Sequence, residues 1–383
     1  MPPRHRRSTA GQAAVEYLAA VALVAALLAA AGAAVGAPGI AARVVHGIRH
    51  GICIVAGDVC TPAEAAAAGL SPCIVKAATR GREGEVSIEF FRAGEGTAYT
   101  VSQDSEGRIT VVKRHLDQAG VQTGVELGLG VFSVGADAGA SLRVASAKAW
   151  EFPDLQRARP FILGLPKSAD KPSPYLVWRS YEGGPVADAE IGASVVGHTL
   201  TGMATALDGA AGARIGRGGE VTVYFKGQLQ RPGPSGDLVW GAGGNAGNVL
   251  GELTLVHGDP RSIAFTRVQA SDGGKRVVET TERLDLRDPA NRAAAAQVLR
   301  LKPPWPPAAA AALFRRMAQA GTVERATYTV HDHSKSFDLG FKLGVEAALK
   351  ATLTRTERYL QAASAWTQGS AERERFDCQP RPQ

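Results

Sequence analysis

His331 and His333 flank Asp332, a spacing that puts both imidazoles on one face of a strand, the arrangement a metal ion could use. No third ligand stands near them, so they read as surface or turn histidines. The other candidate chemistry is sulfur: four cysteines, Cys53, Cys60, Cys73 and Cys378. In an exported chain an even number reads as a pair of disulfides with three possible connectivities. The short spacing from Cys53 to Cys60 permits a local loop, leaving Cys73 to tie the front of the chain to the tail at Cys378. No C-x-x-C pair supports the rival, a zinc site. G-x-S-x-G, H-E-x-x-H and Walker patterns are absent, and the glycine run at 241–247 lacks the lysine of a nucleotide loop. Asp285 and Asp288 form no pair distinguishable from solvated carboxylates. The expectation is a non-enzyme with no cofactor and no metal centre.

Residues of these types need elements to hold them, and composition bounds what those are. The chain has 383 residues, 45% hydrophobic and 21% charged, enough to bury a full core without disulfide support. Forty-five glycines against 6% aromatics is an unusual balance and points to close backbone packing. The net charge of +7 admits affinity for anionic envelope polymers, lipid head groups or nucleic acid. Part of the excess is the cluster Arg4, Arg6 and Arg7, and the rest is scattered rather than striped, which argues against nucleic acid as a partner.

Residues 17–42 contain no charged side chain, longer than the ~20 residues that span a hydrocarbon core. With the arginines upstream, the positive-inside rule keeps the N-terminus cytoplasmic and predicts a single-pass cell-membrane protein whose remaining mass lies outside the cytoplasm. A cleaved secretory signal, with Val35-Gly36-Ala37 as its small-residue site, and a plain signal anchor compete with a third reading. That third reading rests on Gly11-Gln12-Ala13-Ala14-Val15-Glu16-Tyr17-Leu18, where a carboxylate follows a glycine by five residues at the mouth of the apolar run.

This run resembles the Flp/Tad-type (type IVb) prepilin family over about residues 4–40. The resemblance implies cleavage by a prepilin peptidase after Gly11, Gln12 as the new and methylated N-terminus, and Glu16-Tyr17 as the family's Glu-Tyr pair. Glu16 would then pair with a neighbouring subunit's N-terminal amine. Without that role, Glu16 and Tyr17 simply suit the interfacial belt.

The fold class expected is an N-terminal transmembrane helix plus a β-rich, α+β ectodomain of long curved antiparallel strands with a two-helix insertion. Its divisions are a basic leader at 1–11, a pilin-like transmembrane helix at 12–42, a Cys-bearing segment and β meander at 43–120, and a glycine-rich antiparallel region at 121–383. Alternation over 84–113, with turns at Gly94-Glu95-Gly96 and Asp104-Ser105-Glu106-Gly107, predicts a three-stranded meander. Longer period-2 runs occupy 125–144, with a bulge suggested near Phe132-Ser133, and 337–353. Further strands are expected in 186–230, 253–256, 263–268 and 277–286. Asp288-Pro289 opens a helix over about 289–301, and a second runs over 307–320 after a proline-rich break.

Two functions are compatible with these features. One is a membrane-anchored, pilin-like or pseudopilin-like surface protein with a structural or adhesive role in a Tad pilus or secretion apparatus, partnered by the membrane, other pilin-like subunits or envelope polymers. The alternative is an exported effector or pore-forming protein whose ribbons at 125–144 and 337–353 become membrane-spanning hairpins, since transmembrane strands need only about 9–11 alternating residues.

Overall fold

The structure, a computed structural model, describes residues 38–81, 96–117, 132–136, 142–165, 167–185, 189–195, 198–204, 210–228, 248–299, 307–333, 354–367 and 369–379, with Leu23, Val24 and Leu27. These residues fall into two compact units, Met1–Ser71 with Arg373–Gln383, and Pro72–Glu372.

In the larger unit, alternating sequence becomes one closed antiparallel sheet of twelve strands. Around the barrel these are β1 (Ile74–Gly81), β2 (Gly96–Asp104), β3 (Ile109–Asp117), β5 (Leu142–Phe152), β6 (Leu176–Pro185), β9 (Ala210–Gly216), β10 (Glu220–Gln228), β11 (Asn248–Val256), β12 (Asp259–Ser271), β13 (Arg276–Asp285), β14 (Thr322–His333) and β15 (Thr354–Thr367). Pairing of β1 with β15, Ala77 opposite Arg358 and Thr79 opposite Thr356, closes the sheet and leaves none of the twelve as an open edge. The strands β4 (Phe132–Ala136), β7 (Ala189–Val195) and β8 (His198–Ala204) form a separate small sheet lying beside β9 and β10.

Local chemistry sets the turns. Between β11 and β12 only His257 and Gly258 intervene, both at positive φ (52° and 83°), the backbone that a two-residue hairpin demands. Between β2 and β3, Asp104 accepts hydrogen bonds from the amides of Glu106 and Arg108 at 3.0 and 2.9 Å, and Gly107 supplies the left-handed residue.

Successive side chains on each strand face opposite sides, and the two sides differ. The outer face carries two apolar clusters, each covered by helices, while a third, of Tyr224, Leu250, Val268, Val277, Tyr328 and Val330, lies on the opposite face. The helix α3 (Leu155–Leu163), capped by Asp154 accepting from the Arg157 amide at 2.8 Å, packs Ala158 and Ile162 onto Ile109, Val111, Trp150 and Phe152. The helices α4 (Pro289–Leu299) and α5 (Pro307–Ala320) pack Ala295, Val298, Leu313 and Met317 onto Val223, Leu253, Ile263 and Leu284. Asp288 caps α4 by accepting from the amides of Ala290 and Asn291 at 2.7 and 3.1 Å, with Pro289 in its first turn. Each fully buried leucine or isoleucine in this seam contributes about 1.5–3 kcal/mol.

The smaller unit is built on the helix α1 (Pro38–Ala56) and the short helix α2 (Pro62–Ala67). Thr61 caps α2, and Glu64 returns the bond to the Thr61 amide. The Cys60 amide also bonds Glu64, which with the Thr61 contacts holds the carboxylate pKa below its usual value. A Cys53–Cys60 disulfide joins α1 to this turn, and Phe376 packs on it. Val59 bridges to Arg375, beyond β16 (Arg373–Glu374). Arg375 and Asp377 form a buried ion pair at 2.7 Å.

The expected fold class is corrected on two counts. An α+β ectodomain of long curved strands gives way to a closed twelve-strand antiparallel barrel with a few short helices, because the hydrogen-bonding edges of β1 and β15 meet. The transmembrane helix is also corrected: no helix among the described residues is long and apolar enough to cross a membrane. The longest, α1, carries Arg43, His46, Arg49 and His50, and a mid-helix arginine costs about 2.5–3.5 kcal/mol to place in a bilayer. No described helix therefore supports the single-pass cell-membrane localisation with its N-terminus cytoplasmic, or the Flp pilin-like anchor, expected from sequence. Apart from Leu23, Val24 and Leu27, residues 1–37 lie outside the described residues, and the run at 337–353 does too. The run at 125–144 is divided: Phe132–Ala136 belongs to the small sheet, and the barrel strand begins at Leu142.

Candidate functional site

The face of the barrel opposite the helices carries charge, and its charged side chains pair across an intervening strand. Arg114 on β3 bonds Glu182 on β6, passing over β5. The other oxygen of Glu182 accepts from the Tyr224 hydroxyl at 3.1 Å, passing over Gly212 on β9. Arg214 on β9 reaches Glu252 on β11 at 3.6 Å, and Arg358 on β15 reaches Glu279 on β13 at 2.6 Å. Next-nearest strands are roughly 9–10 Å apart in a flat sheet. Such pairs form where the sheet is concave and its side chains converge, so this face is the inside of the barrel.

Small residues make the arrangement possible. Ala145, Ala147 and Gly212 stand between the paired strands in register, so that guanidinium and carboxylate lie over them. A Cβ on Gly212 would meet the Tyr181 carbonyl at 2.5 Å and the Tyr224 ring at 2.7 Å. The Arg214 and Arg358 guanidiniums also sit 5.0 and 4.8 Å over the rings of Trp178 and Tyr328.

The electrostatics follow from burial and pairing. Burial opposes the Arg114 charge, but attraction and hydrogen bonding from Glu182 outweigh it and raise its pKa. Tyr224 is pushed well above the usual tyrosine value by burial first and by the Glu182 charge second. Nε of Arg214 and Nε of Arg283 are buried with no hydrogen-bond partner. The lining is closely filled: Ala149, Ser102, Ser180, Thr222 and Thr266 are all buried. A barrel of this strand number can enclose a wide lumen, whereas here the described interior holds paired charge beside an apolar cluster that includes Leu250, Val268, Val277 and Val330.

The two rims of the barrel differ as well. At one rim the connections are the tight turns 105–108, 217–219 and 257–258 and the helix-bearing segments 153–175 and 286–321. At the other rim, strands are joined through 82–95, 118–141, 186–209, 229–247 and 334–353, with one tight turn at 272–275. All the long glycine-rich alternating segments therefore leave from one rim, including those bearing Gly128, Gly130, Gly340 and Gly344.

Of the residues singled out from sequence, Gly11, Gln12, Glu16 and Tyr17 lie outside the described residues. Cys53 and Cys60 are bonded to each other, and neither Cys73 nor Cys378 is a free thiol. His331 and His333 fall on β14, and the His331 ring packs edge-on against Tyr359 at 5.8 Å. No group of three metal-ligating side chains occurs among the described residues. Asp285 pairs with Arg287 at 2.6 Å, and Asp288 is the α4 cap. The interior arginines and glutamates were not singled out, because on one strand at a time they look like solvent-facing charges. A signal existed only in combination: charges sit at alternate positions beside alanine, serine and glycine. No protein-family model, curated protein or solved structure matches the chain.

Proposed function

We propose that the protein is an exported, membrane-active β-barrel effector of the pore-forming type. The observation that carries this reading is the segregation of the rims. One rim is finished with tight turns and helix-bearing connections, and the other carries every long glycine-rich alternating segment. Alternation of apolar residues with small or polar ones is the pattern of strands that face lipid on one side. The compensated interior supports a rigid body from which such segments are deployed. Residues 1–37 serve export in this reading; cleavage after Gly11 would leave Gln12 as the first residue, and secretory cleavage would leave a chain starting near residue 38.

The test is dye release from liposomes by the purified secreted chain. Release by the natural protein, and its loss in Leu129→Asp and Leu343→Asp, is the expected result. A chain that releases no dye from neutral to acid pH is not a pore-former.

A further inference from the structure

The exposed apolar surface of this molecule is not spread evenly. Among the described residues the large hydrophobic side chains that stand exposed include Leu23, Val24, Leu27, Ile52, Ile54 and Val55, all before residue 56, against only Leu163 and Tyr175 elsewhere. On α1 the spacing is informative. Ile48, Ile52 and Val55 recur at i, i+4 and i+7, one stripe of the helix, and Ile52 and Val55 are 54% and 70% exposed. The neighbouring face holds the unit together instead: Cys53 is buried in its disulfide and His50 lies against Phe376. The stripe is therefore left over after the unit has satisfied its own packing.

Charge identifies what the stripe fits. Between Glu16 and Asp58 the sequence holds no acidic residue, while α1 carries Arg43 and Arg49. Arg49 is exposed and borders the stripe, one position after Ile48. An amphipathic helix with basic residues and an apolar stripe, too polar to span, lies in the plane of a bilayer with anionic head groups. The disulfide fixes the end of α1, so the helix is presented already ordered. Cleavage after residue 11 or near residue 37 leaves α1 intact in either case.

We infer that the Ile48–Ile52–Val55 stripe of α1 is a docking surface for an anionic lipid bilayer, on which the helix rests without crossing. This goes beyond the rim-insertion reading, because it concerns a different unit and needs no pore.

The experiment is co-sedimentation of the full secreted chain with phosphatidylglycerol/phosphatidylcholine vesicles and with phosphatidylcholine vesicles alone, with dye release read on the same samples. The expected result is binding to the anionic vesicles, weakened by salt. Ile52→Glu/Val55→Glu should reduce it by at least about tenfold, given the area each side chain would bury. Ile54→Glu, which adds a charge on another side of the helix, serves as the control and should bind as the natural chain does. Intact Cys53–Cys60 linkage and unchanged circular dichroism in each variant exclude misfolding. Binding that survives the double substitution overturns the inference, as does equal binding to neutral vesicles. A concentration-dependent dimer that the double substitution abolishes, without vesicle binding, overturns it in favour of a second copy. Dye release without α1-dependent binding leaves the rim reading standing and sinks this one; binding without release does the reverse.

Discussion

The inner and outer faces of the barrel divide charge and apolar surface unequally. Outside, Leu253, Ile263 and Leu284 lie beneath α4 and α5, and Ile109 and Trp150 lie beneath α3, so the hydrophobic core is a seam between sheet and helices. Inside, Arg–Glu pairs bridge skipped strands over threonine, serine and alanine, beside a smaller apolar cluster that includes Leu250, Val268, Val277 and Val330. The difference teaches that the helices complete the core, while the interior sets strand register and curvature. Arg114 can meet Glu182 only if β5 between them is in its observed register. Burial by area is therefore largest outside and shared with the inner apolar cluster, whereas specificity by geometry resides inside.

That contrast can be broken from either side. The largest effect should come from Glu182→Ala, which removes the carboxylate that Arg114 and the Tyr224 hydroxyl both bond; we expect a loss of about 3–5 kcal/mol in urea unfolding. Replacing both members, Arg114→Met with Glu182→Leu, should restore most of that loss, and a double variant as unstable as the single one would refute the pairing as its cause. On the outer face, Leu284→Ala should cost about 2–5 kcal/mol by opening a cavity under α5. Gly212→Ala tests the close approach inside the barrel: the added Cβ meets a carbonyl and a ring, and about 1–3 kcal/mol should be lost. Removing the α4 cap with Asp288→Ala should cost only about 1 kcal/mol.

The pH dependence separates the faces more finely. Asp285, exposed at the end of β13, has its pKa lowered, chiefly by the hydrogen bond from Arg287, and Asp170 is lowered chiefly by Lys113. A depressed carboxylate stabilises above its unfolded pKa, about 4, and that contribution disappears as pH falls through the folded value. Tyr224 inside has its pKa raised, so its contribution is complete below about pH 10 and is lost as pH climbs toward the folded value. The expected stability curve falls at both ends, and Tyr224→Phe should flatten only the alkaline limb. An alkaline limb unchanged in that variant would remove Tyr224 as its source.

Much of the barrel's material could be read from the chain. Alternation in Val221–Thr222–Val223–Tyr224, the Asp104–Gly107 turn and the Asp288–Pro289 helix start are local signals, because side-chain direction, turn backbone and capping depend on a few neighbouring residues. The short bond from Cys53 to Cys60 was foreseen on the same basis. The strand Ile74–Gly81 was not singled out, since it lay within the Cys-bearing segment, yet it is the strand that closes the barrel.

The sequence by itself determined the strand periodicity, the turns, the helix caps and the concentration of uncharged residues before Arg43. Tertiary structure alone decided that β1 meets β15, that the alanine and glycine face is the inside, and that Arg114, Glu182 and Tyr224 converge from β3, β6 and β10. The physical reason is range. Propensity and capping act over one turn of chain, whereas the Tyr224 and Arg114 bonds to Glu182 join residues 42 and 68 positions apart and closure pairs Ala77 with Arg358, and nothing in either segment alone specifies its partner.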